Sequence, residues 1–202
     1  MTDPLDLDIS AFLDAVSDPE DPIASSVLAA QTVAATAALL TMAARATGGS
    51  EASGLAAQCE SVRARATGLI RTCAQNYAEA AKLLRERSER SERGVRGARG
   101  ADGGSERDFL LGRALHRAAE APAAVAEAAG DVALLAQALA EGCEPDRIPD
   151  VRAACALAEG AARACVGLVE INLVAGGDEA LGAQAERGAE LAAEARRRLA
   201  ID

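Results

Sequence analysis

Apolar residues recur every three or four positions along much of the chain, the spacing that places them on one face of an α-helix. The pattern is clearest over residues 51–92, where apolar positions follow one another at steps of three or four. We predict a single long helix there, with one apolar face that packs against partner helices. The residues of this face are Leu55, Cys59, Val62, Ala66, Leu69, Cys73, Tyr77, Ala80 and Leu84.

Turn-forming residues divide the rest of the chain into further segments with a helical pattern. Pro122 lies inside one of them and is expected to kink it, because proline lacks the amide donor of a helical residue. The segment Gly94–Gly104, which is rich in Arg and Gly, is predicted as a flexible loop at about 94–105. The predicted helices are Ile9–Val16, Ser25 or Ser26 (as N-cap) to about Ala46, Ser105 (as N-cap) to about Gly142, about 149–174, and Asp178 (as N-cap) to Leu199.

Composition strengthens the helical prediction. Hydrophobic residues make up 50% of the chain but aromatic residues only 1%, and alanine, the best helix former, is abundant. We predict a single all-α domain over residues 1–202, an antiparallel bundle of about five to six helices that pack closely through small side chains. Such a bundle often completes its core with a second copy, so a homodimer is expected.

The formal charge of −10 restricts the partners of the protein. Phosphate contacts with nucleic acid and attraction to an anionic membrane surface both need basic patches, so neither partner is expected. The second helix is apolar on nearly all sides, but Gln31, Arg45 and several threonines interrupt it, which favours the centre of a soluble bundle over a membrane span. The N-terminal residues show no signal-peptide pattern, and we expect a cytoplasmic protein.

The counts of cysteine and histidine exclude several kinds of chemistry. Five cysteines without a CxxC pair fit reduced thiols that act as small apolar residues. A single histidine, His116, excludes a multi-histidine zinc site and a di-iron bundle site, and no metal is expected. We interpret His116 as a boundary or surface residue, and the Arg-rich run 85–99 as a solvated helix end or as a clamp for a polyanionic ligand tail.

Three polar residues stand out from their surroundings, and each has a structural and a functional interpretation. Asn172 lies on an otherwise apolar helix face and Asn76 borders the long apolar face, so each amide either fastens two helices together or lines a ligand site. Asp150 opens the fifth helix, where the helix dipole favours a carboxylate, and it is also placed to serve as a site acid. From the residues alone, both interpretations stay open.

Several segments, taken in order, resemble the cyclodeaminase/cyclohydrolase family, which includes the C-terminal domain of formiminotransferase-cyclodeaminase and the bacterial methenyltetrahydrofolate cyclohydrolases. The stretch 144–154 (EPDRIPDVRAA) resembles the family's NPNAVSDAGVAA, and 169–173 (VEINL) resembles NVRINL at the expected distance. The end of the second helix, 42–47 (MAARAT), and the stretch 118–122 (AAEAP) are similar to the family's MVANLT and AAEVP. The resemblance covers about residues 8–200.

The resemblance implies an all-α homodimer that binds a tetrahydrofolate one-carbon adduct, a folate-type small molecule, without a metal or redox cofactor. The implied reaction is either closure of formimino-tetrahydrofolate to the methenyl form with loss of ammonia, or hydrolysis of the methenyl form to formyl-tetrahydrofolate. The resemblance also implies one site in which Asp150 is the catalytic acid or base and Asn172, Asn76, Ser25 and Ser26 bind the substrate.

Some positions depart from the family pattern. The family's glycine triplet is replaced by Ala24-Ser25-Ser26, its aspartate on the third helix falls on Asn76, and its lysine after the second helix is absent. These departures motivate two alternatives. The chain is then either a non-catalytic relative that binds folate or a protein partner, or a relative that uses the same fold for another small substrate.

Overall fold

The computed structural model describes residues 3–19, 23–94, 104–173 and 178–200, without the side chains of 92–94 and 104–105. All regular structure in these ranges is helical, which confirms the prediction of an all-α fold. Short 3-10 helices precede the first and fifth α-helices, at Pro4–Asp6 and Pro145–Arg147. The α-helices are α1 (Ile9–Ser17), α2 (Ser25–Thr47), α3 (Gly49–Gly94), α4 (Gly104–Ala140), α5 (Ile148–Leu173) and α6 (Glu179–Leu199).

The predicted helices agree with the observed ones to within a few residues, but two predicted N-caps are wrong. The residue before α2 is Ala24, which makes no side-chain capping bond, and both Ser25 and Ser26 are already helical. The fourth helix includes Gly104, ahead of the predicted N-cap Ser105. In both cases the predicted N-cap already lies within the helix.

Two other predictions made at segment ends have different outcomes. Asp178 does cap α6, where its carboxylate accepts hydrogen bonds from the amides of Ala180 and Leu181. The loop predicted at about 94–105 falls mainly on residues 95–103, which lie outside the described residues.

Two glycines turn the chain between α2 and α3. Gly48 and Gly49 have φ values of +74° and +84°, a region in which residues with a side chain are strained. The third helix therefore returns along α2, and α5 returns along α4 after the 3-10 helix at Pro145–Arg147. The sixth helix packs against both α4 and α5. Successive helices from α2 to α6 thus alternate in direction, as expected of an antiparallel bundle.

Small side chains fill the core of the bundle. Alanine dominates the buried residues, and Leu40, Val33 and Val125 are among the few larger ones. Where α4 and α6 cross, their backbones nearly touch, because a Cβ atom on Gly188 would lie 2.3 Å from the carbonyl oxygen of Ala126. The structure therefore shows the close packing through small residues that the composition predicted.

The third and fourth helices extend beyond the bundle as a two-helix projection. There they pack mainly on each other, and Tyr77 and Leu84 from the predicted apolar face of α3 are 40% and 45% exposed. The projection has a small apolar cluster of its own, formed by Ala80, Ala114, Ala118, Leu83 and Leu115.

Two helical stretches, Ser25–Thr47 and Glu106–Ala140, are long and apolar enough to cross a membrane by length and composition alone. In each, more than half of the most apolar stretch is buried inside the bundle, 56% and 61% respectively. Core helices of soluble proteins have the same property. This burial supports the interpretation of α2 as the central helix of a soluble bundle.

Candidate functional site

An asparagine compensates for a backbone donor that is missing inside α4. Proline has no amide hydrogen, so at Pro122 the carbonyl oxygen four residues earlier, that of Ala118, loses its helical donor. Asn172 of α5 donates from Nδ2 to this oxygen at 3.4 Å and to the Leu168 carbonyl oxygen at 2.8 Å. The fourth helix continues through the buried Pro122 as a single element. Asn172 therefore fastens α5 to α4, the structural role that its apolar surroundings suggested.

Asn76 of α3 binds the same turn of α4. Its Nδ2 donates to the carbonyl oxygen of Arg117 at 2.7 Å, so α3 and α5 are tied to adjacent carbonyls of one helix. We call the end of the bundle that holds Asn76 and Asn172 the asparagine end. Both side chains are half-buried, and neither Oδ1 accepts a hydrogen bond from another residue in the described part of the chain. Both amides thus keep an acceptor for a ligand.

The start of α2 lies at the asparagine end as well. Ser26 is buried beside Cys73, which lies one turn before Asn76 in α3, and its hydroxyl lowers the pKa of that thiol against the larger effect of burial. Burial raises the pKa of Cys73 to about 11 and that of Cys165 to about 12, so both thiols stay protonated at neutral pH. Ser25 is exposed at the first position of the helix, and the N-cap residue Ala24 has no side chain that could cap the free amides.

Asp150 lies at the opposite end of the bundle. It is in the first turn of α5, partly exposed, with its Oδ2 3.7 Å from a guanidinium nitrogen of Arg147. Asn172 is in the last turn of the same helix, and the roughly 22 residues between them span about 33 Å. Within one chain, therefore, Asp150 does not share a site with Asn172, Asn76, Ser25 and Ser26.

A cleft of about 300 Å³ opens beside Asn172, where the end of α5 meets the projecting part of α4. His116 lies on its wall, with Nε2 3.0 Å from Asp178 Oδ2 and Nδ1 3.2 Å from Glu120 Oε1. The hydrogen bond from His116, together with two amide donors, holds the pKa of the Asp178 carboxyl below its usual range. The lining residues are Phe109, Gly112, Arg113, Leu115, His116, Asn172 and Leu173.

Sequence reasoning missed the place of His116 in this cleft. The residue lies one position from the apolar face of α4, which indicated only a boundary residue. Its partner Asp178 belongs to another helix, and no spacing within α4 points to that contact. The sequence offered only an indirect signal for the contact between His116 and Asp178. Asp178 is predictable as the N-cap of α6, which places it at one end of the bundle, but nothing in the sequence places His116 beside it.

A second cleft, of about 390 Å³, lies between α3 and α4 and contains none of the predicted site residues. Arg65 and Asp131 form an ion pair across it. No group of three or more His, Cys, Asp or Glu side chains in the described ranges is arranged to hold a metal ion.

Comparison with known proteins gives the chain a family. The family model described as formiminotransferase-cyclodeaminase matches residues 8–191. The chain belongs to the formiminotransferase-cyclodeaminase family. Among solved structures, the formiminotetrahydrofolate cyclodeaminase of Thermotoga maritima matches with a TM-score of 0.76, over 96% of this chain and 94% of that chain, at 19% identity. No curated protein sequence matches the chain.

Membership of the formiminotransferase-cyclodeaminase family confirms the resemblance identified from the sequence. The matched range runs from the start of the bundle into α6, and all five predicted site residues lie within it. The similarity to the Thermotoga maritima cyclodeaminase shows that the helical fold is shared over nearly the whole length of both chains.

Proposed function

We propose that this protein binds a tetrahydrofolate that carries a one-carbon group and acts as a cyclodeaminase or cyclohydrolase on it. The observation that supports this most is the family match over residues 8–191. The proposed reaction needs proton transfer and a folate-sized pocket but no metal or redox cofactor. We also propose a homodimer in the cytoplasm as the working form.

The asparagine end offers groups suited to such a ligand. The free Oδ1 atoms of Asn76 and Asn172 are acceptors for the donor groups of a pterin ring. Ser25 and the uncapped first turn of α2 supply donors, and the positive end of the helix dipole favours the glutamate tail of a folate. Asp150 is proposed as the acid or base, because it is the one carboxylate among the five predicted residues.

The proposed function is tested with purified protein and two substrates, methenyl-tetrahydrofolate and formimino-tetrahydrofolate, by following the methenyl absorbance. We expect catalysis of one of these reactions, and a loss of at least ~100-fold in rate for Asp150→Asn, the usual effect of removing a general acid or base. Asp146→Asn is the matched control, since Asp146 is an exposed carboxylate one turn earlier. No acceleration over buffer with either substrate would overturn the proposal of an enzyme.

One observation favours a second candidate, a relative that binds folate without turning it over. At the asparagine end, none of Ser25, Ser26, Asn76 and Asn172 carries a carboxylate, and the nearby Asp178 carboxylate is already paired with His116. Cys73 remains a neutral thiol because burial raises its pKa to about 11. Calorimetry separates the candidates. Binding of methenyl-tetrahydrofolate without turnover supports the second candidate, and binding with turnover supports the first.

A further inference from the structure

One side of α5 is exposed over residues 149–164 and again at Ile171, with the charged residues Arg152, Arg163 and Glu170 along one edge. The other exposed residues are small or apolar, and the larger ones are strongly exposed, with Leu157 at 52% and Ile171 at 73%. The neighbouring α2 also exposes apolar residues, including Leu28 and Met42, and has no charged residue over 25–44. The exposed apolar or small residues of α5 are Pro149, Ala153, Ala156, Leu157, Gly160, Ala164 and Ile171.

The size of this surface suits a second copy of the chain. The fifth helix, with 26 residues, is about 39 Å long. Together with α2 packed roughly 10 Å away, it presents roughly 800 Å², which is the area that each partner buries in a standard stable interface. A symmetric pair buries the same surface on both copies.

The charges at the edge of this surface set the direction of the pairing. Arg152 and Glu170 are both exposed and lie about 18 residues apart, which is about five turns, so they are on the same edge of α5. Neither forms an ion pair with another residue that the structure describes. Both residues are equally far along the helix from residue 161, on either side of it. If two α5 helices pack antiparallel about residue 161, Arg152 meets Glu170 of the partner subunit, and the contact occurs twice.

The same symmetry centre relates two of the predicted site residues. Asp150 and Asn172 are also equally distant from residue 161, and both lie on the opposite edge of α5 from Arg152 and Glu170, since the roughly 22 residues between them make about six turns. Antiparallel pairing thus brings Asp150 of the partner subunit to the level of Asn172. It removes the 33 Å separation that exists within one chain.

We propose that two copies pack α5 against α5 in antiparallel orientation about residue 161, with α2 beside it completing the interface. Each of the two sites then takes Asn172, Asn76 and Ser25 from one chain and Asp150 from the other. The pairing rests on the surface of α5 alone, and the shared site rests in addition on the proposed function.

The pairing is tested by the mass of the protein in solution and by charge exchange. Wild type is expected to be a dimer in light scattering, and Arg152→Glu or Glu170→Arg alone is expected to raise the dissociation constant at least tenfold. The double exchange Arg152→Glu/Glu170→Arg should restore the wild-type constant, because the opposite charges face each other again. Arg85→Glu, on the projection of α3, is the control and should change nothing. A monomer, which leaves this surface for another occupant, or a dimer insensitive to these exchanges would overturn the pairing.

A crosslink tests the centre of the interface. Gly160→Cys places a thiol beside the symmetry axis, and nothing lies within 4 Å of the added Cβ. Under mild oxidation we expect a disulfide-linked dimer. Gly54→Cys on α3, where a Cβ also meets nothing within 4 Å, is the matched control and should stay unlinked. Equal crosslinking of both variants, or of neither, would contradict the proposed interface.

The shared site is tested with a mixed dimer. Chains with Asp150→Asn and chains with Asn172→Ser are co-expressed with different affinity tags, and the heterodimer is purified. One of its two sites then has all its wild-type residues, so about half of the wild-type activity per dimer is expected although each parent homodimer is inactive. If Asn172→Ser lowers the melting temperature, Ser25→Arg, an exposed substitution, replaces it.

The outcomes separate this inference from the proposed function. An inactive heterodimer built from an active wild type would overturn the shared site while the cyclodeaminase or cyclohydrolase activity stands. A wild type that neither binds nor converts either folate would overturn the shared site and the proposed function together. In that case the crosslink and the charge exchange still decide the pairing of α5.

Discussion

At the scale of single residues, the asparagine end is built around a missing hydrogen-bond donor. Pro122 removes the helical partner of the Ala118 carbonyl, and Asn172 supplies a replacement from the next helix. The same amide bonds the Leu168 carbonyl, so its orientation is fixed and its Oδ1 is presented away from these bonds. A proline that weakens a helix by itself thus serves to orient an asparagine at the proposed ligand site.

This relation between Pro122 and Asn172 can be measured with a double-mutant cycle. Asn172→Ala should cost about 2 kcal/mol of unfolding free energy, because a half-buried carbonyl loses its donor. In a Pro122→Ala background the amide of residue 122 can bond the Ala118 carbonyl, so the same substitution should cost clearly less. Urea unfolding of the four proteins gives the coupling. Identical costs in the two backgrounds would show that Asn172 does not compensate for the proline.

The buried cysteines give a second expectation, at alkaline pH. Burial raises the thiol pKa of Cys59, Cys73 and Cys155 to about 11 and that of Cys165 to about 12, whereas thiols in an unfolded chain titrate near 9. Between these values the folded state binds more protons than the unfolded state. The contribution of the protonated thiols is thus fully present below pH 9 and is lost as the pH rises towards 11–12.

Calorimetric melting temperatures from pH 8 to pH 10.5 test this expectation. The melting temperature of wild type should fall across the range, and that of a Cys73→Ala/Cys165→Ala variant should fall less steeply. Parallel curves for the two proteins would mean that these thiols do not cause the loss.

At the scale of helices, the crossing of α4 and α6 depends on one residue without a side chain. A Cβ on Gly188 would lie 2.3 Å from the Ala126 carbonyl oxygen and 2.9 Å from the amide nitrogen of Glu127, and backbone atoms cannot move aside as a flexible side chain can. We expect Gly188→Ala to destabilise the protein by about 3 kcal/mol, as overpacking of a tight core does.

The matched control for Gly188→Ala is Gly54→Ala, in the exposed part of α3, where a Cβ meets nothing within 4 Å. That substitution should stabilise the protein by about 0.5–1 kcal/mol, because alanine favours a helix over glycine. Thermal melts of the two variants should therefore shift in opposite directions. A neutral Gly188→Ala would show that the two helices separate at little cost.

The helices were the most predictable feature, for a physical reason. The apolar face of α3 extends over many turns, and each turn repeats the signal. The start of α2 was less predictable, because serine is a good cap but Ala24 precedes both serines and the helix begins without one. The roughly 33 Å between Asp150 and Asn172 followed from their positions in one predicted helix. The contact of Asn76 and Asn172 with one turn of α4 did not, since it depends on how three helices pack.

At the scale of the whole molecule, the five predicted site residues are divided between the two ends of the bundle. The asparagine end holds Ser25, Ser26, Asn76 and Asn172, with the His116–Asp178 pair beside Asn172, and Asp150 lies at the other end. The formiminotransferase-cyclodeaminase family and its fold are shown by the match over residues 8–191 and by the similarity to the Thermotoga maritima structure. Which residues act together in catalysis remains a proposal that the mixed dimer tests.

The alanine-lined interior also affects how the sequence tolerates change over evolution. In most proteins the damaging core substitutions remove volume and leave a void, at a cost that grows with the atoms deleted. Here most interior positions hold a methyl group or less, so little remains to be deleted, and nearly every available replacement is larger. Random substitutions in the core should therefore destabilise this protein mainly by overpacking. The positions that tolerate a large side chain should be those that already hold leucine or valine.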